Sequence, residues 1–201
     1  MIFENHSSLD HRLYVGLDLS LTSPGMALIR EKDDNTIQVI DTKNIKTTKD
    51  EDWFTRHTRV REAVMEFVFM SRPRAIFVEN YSFGSSNGRE IAGEVHGNVL
   101  YKLIEEGYPQ DRIFRVIAPT RLKKFATGKG NEKKKRPIVE FVNKTFGLNL
   151  RVKDNDIADA VVLAFMGYCM FNYPKVEHKL KKYQKETIKA LIETVKEGYS
   201  L

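Results

Sequence analysis

The period of the hydrophobic pattern changes along this chain, and the changes divide it into elements. Leu13 to Leu19 is almost wholly apolar (LYVGLDL), and a second apolar run, Gly25 to Arg30, follows a Thr-Ser-Pro-Gly turn signal. Thr36 to Lys43 alternates apolar and polar positions. Runs this short, broken by turn residues, predict three strands in an antiparallel meander. The period then lengthens. Trp53, Val60, Val64, Phe67 and Val68 recur near helical spacing within Asp50 to Met70, and Pro73 follows as a stop.

Arg74 to Glu79 is apolar enough for a central strand. A Gly/Ser/Asn loop, Ser82 to Gly88, precedes a helix from Arg89 to Glu106 with Ile91, Val95, Val99, Leu103 and Ile104 inward. Arg112 to Ala118 predicts another strand, and Pro119 suits the first turn of a short helix, Thr120 to Phe125. The segment TGKGNEKKKR predicts an exposed loop before a helix over Pro137 to Phe146. Asn155 to Phe171 is a strongly apolar, buried helix, and a Lys/Glu/Leu-rich stretch after Pro174 predicts a solvated amphipathic helix to Gly198. There is no internal repeat. The order βββαβα, then βα and further helices, predicts an α/β fold: a mixed five-stranded sheet with an antiparallel entry, parallel later strands and flanking helices. That order is similar to a ribonuclease-H-like domain. It divides into a domain over residues 1–174 and a Lys-rich helical extension over 175–201.

Composition adds three constraints. The chain has 201 residues, 41% hydrophobic and 30% charged, enough for one domain with a full core. No apolar run approaches the roughly 18–20 residues of a membrane span, and the N-terminus lacks the pattern of a signal peptide. The single Cys169 lies among Met and Phe, which fits a buried, inert thiol in a reducing compartment; the expectation is a cytoplasmic protein. A net charge of +6 favours a polyanionic partner. The distribution sharpens this: eight Lys or Arg against one Glu from Arg121 to Arg136, and six Lys against two Glu from Lys175 to Lys189.

The candidate chemistry lies in four acids. Asp18 ends the first strand, Glu79 ends the later central strand, and Asp156 and Asp159 open the buried late helix, where a spacing of three puts both on one face. Each has an ordinary reading: a turn cap, an exposed strand end, first-turn acids favoured by the helix dipole. Asp154 fits the last of these, whereas Asp159, between Ala158 and Ala160, fits it poorly. If the three elements lie side by side, the acids converge as hard oxygen ligands, which is divalent-metal and phosphate chemistry. Ser20 and Thr22 offer hydroxyls beside Asp18. The five histidines are scattered without metal spacing.

The local sequences are more specific than the pattern. GLDLSLTSPGMALI, IFVENYSFG, REIAGEVHGNVLYKL, VIAPTRLKKFATGKGNEKKK and DNDIADAVVLA, in that order from about Tyr14 to Ala164, resemble the successive motifs of the RuvC-like Holliday-junction resolvases. The Leu-Ser-Leu-Thr-Ser-Pro insert after Asp18 and the Lys-rich tail depart from the bacterial pattern and suggest a phage or other divergent branch, which would place the protein in the host cytoplasm if it is phage-encoded.

The resemblance implies a Mg2+-dependent endonuclease, with Mn2+ able to substitute, that nicks four-way junctions symmetrically and leaves 5′-phosphate and 3′-hydroxyl ends. Asp18, Glu79, Asp156 and Asp159 would hold two ions. Lys123 would be one catalytic cation and Lys133 or Lys134 the second, with Lys124, Lys129, Lys135 and Arg136 contacting DNA. Tyr81 and Phe83 flank the position of a family aromatic that stacks near the junction. The two-fold symmetry of a junction implies a homodimer, and Gly93 and Gly97 on the helix after Glu79 would permit close helix–helix approach. Two other readings remain open: a nuclease of the same fold acting on flaps, forks or other branched DNA, and an actin-like ATP-binding domain, against which the chain shows no second Gly-rich phosphate loop.

Overall fold

The computed structural model describes residues 9–80 and 89–197. The strands are β1 (Asp10–Asp18), β2 (Gly25–Glu31), β3 (Ile37–Asn44), β4 (Pro73–Glu79) and β5 (Ile113–Ile117). The helices are α1 (Trp53–Ser71), α2 (Arg89–Glu105), α3 (Pro119–Thr127), α4 (Arg136–Phe146), α5 (Asn155–Phe171), the short α6 (Tyr173–Val176) and α7 (Lys182–Lys196). The strands form one sheet in the order β3-β2-β1-β4-β5. β1, β2 and β3 pair antiparallel, and β4 and β5 continue parallel to β1. The meander, the central strand after α1 and the mixed sheet all stand as the sequence predicts, with ends shifted by a few residues.

The central strands are buried on both faces, and the period of two sorts their side chains. Tyr14, Ala27, Ile29, Ala75 and Phe77 face a core shared with α3, α4, α5 and α7. Leu13, Val15, Leu17, Met26, Leu28, Ile76 and Val78 face the opposite core, closed by α1 and α2. This is why β1 and β4 read as continuous apolar runs rather than alternating ones. Only the edge strand β3 keeps many exposed positions.

Three expectations on helix faces need correction. Trp53, expected inward on α1, is 40% exposed and packs against His57, which takes the buried position one turn on. Ile91 is likewise 39% exposed, because His96 joins Val95 and Val99 on the covered face of α2. The C-terminal stretch is not one solvated helix. It bends at α6 and a 3-10 turn (Glu177–Lys179), and α7 then buries Gln184, Thr187, Ile188 and Leu191. Ile188 and Leu191 enter the core that holds Tyr14 and Phe77. Cys169 is buried, as its neighbours predict. Among the described residues, no single helix is long and apolar enough to cross a membrane.

Candidate active site

Glycine and alanine determine where α5 sits. A Cβ on Gly16 would stand 2.0 Å from the carbonyl oxygen of Ala160, and one on Gly25 would stand 2.0 Å from that of Asp156. Only glycine permits so close an approach, so the backbone of α5 lies directly on β1 and β2. The first turns of α5 therefore pass beside the C-terminal end of β1. β4 runs parallel beside β1, with Leu17 partnered by Val78, so Asp18 and Glu79 emerge side by side. Asp18, Glu79, Asp156 and Asp159 come together on one pocket of about 300 Å³. Each acid is half-buried, with part of its surface open to that pocket.

The electrostatics follow from crowding. Burial raises the Asp18 carboxyl well above the usual range, and the charges of Glu79, Asp159 and Asp156 raise it further. Burial, then the charge of Asp159, pushes Glu79 up to about 8, against the opposing effects of a hydrogen bond with Asp18 and the charge of Lys123. Asp159 is pushed up to about 7 by burial and Asp156, while Lys135 and Lys123 pull it down. Asp18 and Glu79 thus both hold their protons more readily than ordinary carboxyls. Asp159 Oδ1 is buried without a hydrogen-bond partner.

Asp156 is held differently. Ser23 Oγ donates to its Oδ2 at 2.7 Å, and the amide of Asn155 donates to its Oδ1. Asn44 Nδ2 donates to Ser23 Oγ at 3.0 Å and to the Pro24 carbonyl at 3.0 Å, fixing the hydroxyl. The hydroxyl at the acids is therefore that of Ser23. Ser20 Oγ instead accepts from the Ser23 amide at 3.0 Å, and Thr22 Oγ1 accepts from Arg56. Ser23, Asn44 and Asn155 were missed in the sequence. Their signal is faint: a serine two residues before Gly25, an asparagine ending β3, and an asparagine next to the acid it serves. Asp154 stays apart, accepting from the Arg151 amide at 2.9 Å in a short turn before α5.

Lys123 projects from α3 into the pocket, which Lys133, Lys134 and Lys135 also line. Lys135 influences Asp159 more strongly than Lys123 does, so three lysines, not two, compete for the second position. Lys124 faces away and pairs with Glu186 of α7 at 3.3 Å, and Arg136 pairs with Glu140 at 2.7 Å. Lys129 is exposed on the intervening turn. Tyr81 and Phe83 lie outside the described residues.

A hard divalent cation fits this donor set. Every acidic ligand is an oxygen, and one buried carboxylate oxygen is unpartnered. Among the described residues, no group of three or more His, Cys, Asp or Glu is already arranged to hold an ion. Unscreened carboxylates repel, and Mg2+ keeps several waters, so an open pocket rather than a closed cage is the expected form.

A family model described as crossover junction endodeoxyribonuclease RuvC matches residues 14–167. The chain belongs to the RuvC family. The match runs from β1 through most of α5 and so includes all four acids and Lys123. The RuvC of Corynebacterium efficiens is 25% identical over 197 residues, covering 92% of this chain and 84% of that protein. The structure of Thermus thermophilus RuvC superposes with a TM-score of 0.64 at 23% identity, covering 81% of this chain and 96% of that one. The same RuvC in complex with Holliday junction substrate gives 0.63 at 24% identity, covering 77% and 91%. The fold is thus the ribonuclease-H-like resolvase fold, and the family is one of Holliday-junction endonucleases.

Proposed function

We propose that this protein is a divalent-metal-dependent endonuclease that nicks four-way DNA junctions symmetrically, leaving 5′-phosphate and 3′-hydroxyl ends. The observation that carries this reading is the convergence of Asp18, Glu79, Asp156 and Asp159 on one pocket that lysines also line, within a family of junction endonucleases. The Thermus thermophilus relative seen with Holliday junction substrate supports the substrate class.

Asp18, Glu79, Asp156 and Asp159 would hold the ions, two per site, with Mg2+ the natural choice and Mn2+ a substitute. Bound there, they supply Lewis-acid activation of water and neutralise charge at the scissile phosphate and the leaving 3′ oxygen. The side chains around them do the rest. Ser23 and Asn155 fix the two oxygens of Asp156 in advance, so that ligand loses little freedom on binding. Asp18 and Glu79 would have to be ionised to hold the ions, so their raised carboxyls would couple ion binding to proton release. Lys123 and Lys135 place fixed positive charge beside Glu79 and Asp159, where the extra charge of the transition state develops. Lys135 thereby joins Lys133 and Lys134 as a candidate for the second cation.

A homodimer suits the two paired nicks. Gly93 and Gly97 lie on α2 with no atom within 4 Å of an added Cβ, and Tyr101 on the same helix is 78% exposed, which leaves that face for a second copy. The test is incubation with Mg2+ and a labelled panel of four-way junction, flap, fork, RNA–DNA hybrid and linear duplex. The junction should be cut fastest, at symmetric positions. Preferential cutting of a flap or fork would replace the junction as the substrate.

A further inference from the structure

The family match ends at residue 167, so α6, the 3-10 turn and α7 lie beyond it. α7 is nevertheless locked to the active-site side of the molecule. The buried Gln184 accepts from the Lys181 amide at 3.0 Å and donates Nε2 to the Phe125 carbonyl at 3.3 Å, joining the start of α7 to the last turn of α3. Tyr183 lies against Gly128, where an added Cβ would stand 3.4 Å from its ring. Lys124 and Glu186 close the same contact. The first turn of α7 therefore adjoins the turn after α3 that bears Lys129 and leads to the lysines of the pocket.

The charges there are badly placed for the helix itself. Lys181 is the N-cap, Lys182 opens the helix, and the first turn holds no acid. Cations at a helix N-terminus oppose the dipole. Lys179, Lys181 and Lys182 are all exposed. Among the described residues none of the three forms a salt bridge, although nearby Lys124 and Lys189 have Glu186 and Glu177. Within the fold, the Lys181 ammonium gains only a contact with the Tyr183 ring, 5.8 Å from its centroid, and a cluster set against its own helix dipole suits a polyanion.

We propose that Lys179, Lys181 and Lys182 form a phosphate-binding patch for a duplex arm of the DNA substrate, continuous through Lys129 with the lysines of the active-site pocket. The proposal rests on the branched-DNA reading above. Tyr183, next to Lys182, packs on Gly128 at the end of the helix that carries Lys123, so the patch serves DNA backbone outside the pocket itself. It contacts backbone only and carries no sequence preference.

The test is the full-length Lys179→Ala/Lys181→Ala/Lys182→Ala variant, assayed by fluorescence anisotropy on a four-way junction and on linear duplex across a salt series, with single-turnover cleavage at saturating enzyme. Kd should rise roughly tenfold on both DNAs, and the log–log salt slope should fall by about 2–3, near 0.9 per phosphate contact. The saturated cleavage rate should stay at the wild-type value, and the melting temperature should hold or rise as the dipole conflict is removed. Unchanged Kd and slope on both DNAs would overturn the patch, as would a lost cleavage rate with unchanged Kd. A wild-type protein that leaves the junction uncut would refute the junction reading alone, because the duplex arm still tests the patch.

Discussion

At the scale of the residue, the site is a store of electrostatic strain. Glu79 is raised to about 8 and Asp159 to about 7, with Asp18 raised as well. The unfolded chain has ordinary carboxylates, so above their usual range it holds fewer protons than the fold. Stability of the metal-free protein therefore falls as pH rises, until it passes about 8. Below about 6.5 the buried His96, lowered to about 4, acts in the opposite sense, because the unfolded chain takes up the proton first. The informative window is thus the pH range of about 6.5 to 8.5. Thermal melts in EDTA should show the melting temperature dropping across it for wild type and dropping less for Asp18→Asn, which lacks one raised carboxyl. Equal slopes in the two proteins would mean that the Asp18 carboxyl is not raised.

The lysines give a second test at this scale. Lys123→Ala should slow cleavage at saturating enzyme by about 100-fold or more, the range for losing one preorganised charge-stabilising group, while weakening junction binding little. Among single alanine variants of Lys133, Lys134 and Lys135, the last should show the largest rate loss, since its charge bears most on Asp159. Equal losses in rate and binding at Lys123 would make it a simple phosphate contact. The sequence reached the four acids and Lys123 through their neighbouring motifs. It reached Lys135 only as a DNA contact and did not reach Ser23 or Asn44, because Ser23 meets Asp156 133 residues away, Asn44 acts through Ser23, and a single Ser or Asn has no periodicity to betray it.

At the scale of the element, the site depends on how closely α5 lies on the sheet. Gly16→Ala would drive a methyl into the Ala160 carbonyl oxygen and the Ala164 amide, both backbone, so neither can step aside cheaply. The expected cost is about 1–3 kcal/mol or more, read as a lower urea midpoint. The folded fraction should also cut more slowly, because α5 carries Asp156 and Asp159 away from Asp18. Wild-type stability and rate in this variant would mean that the close packing does not position the site. The strands and α5 were legible as apolar runs. The inward faces of α1 and α2 were legible only in part, because half-polar histidines displaced Trp53 and Ile91 from the core. The docking of α7 was hidden by its lysines, which mask a stripe of Gln184, Thr187, Ile188 and Leu191.

At the scale of the whole molecule, a basic chain gathers four acids in one pocket that Lys123, Lys133, Lys134 and Lys135 also line. Such an arrangement attracts DNA broadly and commits chemistry to one point. The central claim is that Asp18, Glu79, Asp156 and Asp159 form a single cation-dependent cutting site. The most direct measurement compares wild type with Asp18→Asn and Asp159→Asn on a labelled four-way junction in Mg2+, with binding followed in parallel without metal. Wild type should release nicked duplexes that ligase reseals, and both variants should bind the junction with near wild-type affinity yet lose cleavage by at least about 1,000-fold, as expected when the ligands of an essential ion are removed. Cleavage by either variant at the wild-type rate, or wild-type cleavage that persists in EDTA, would contradict it.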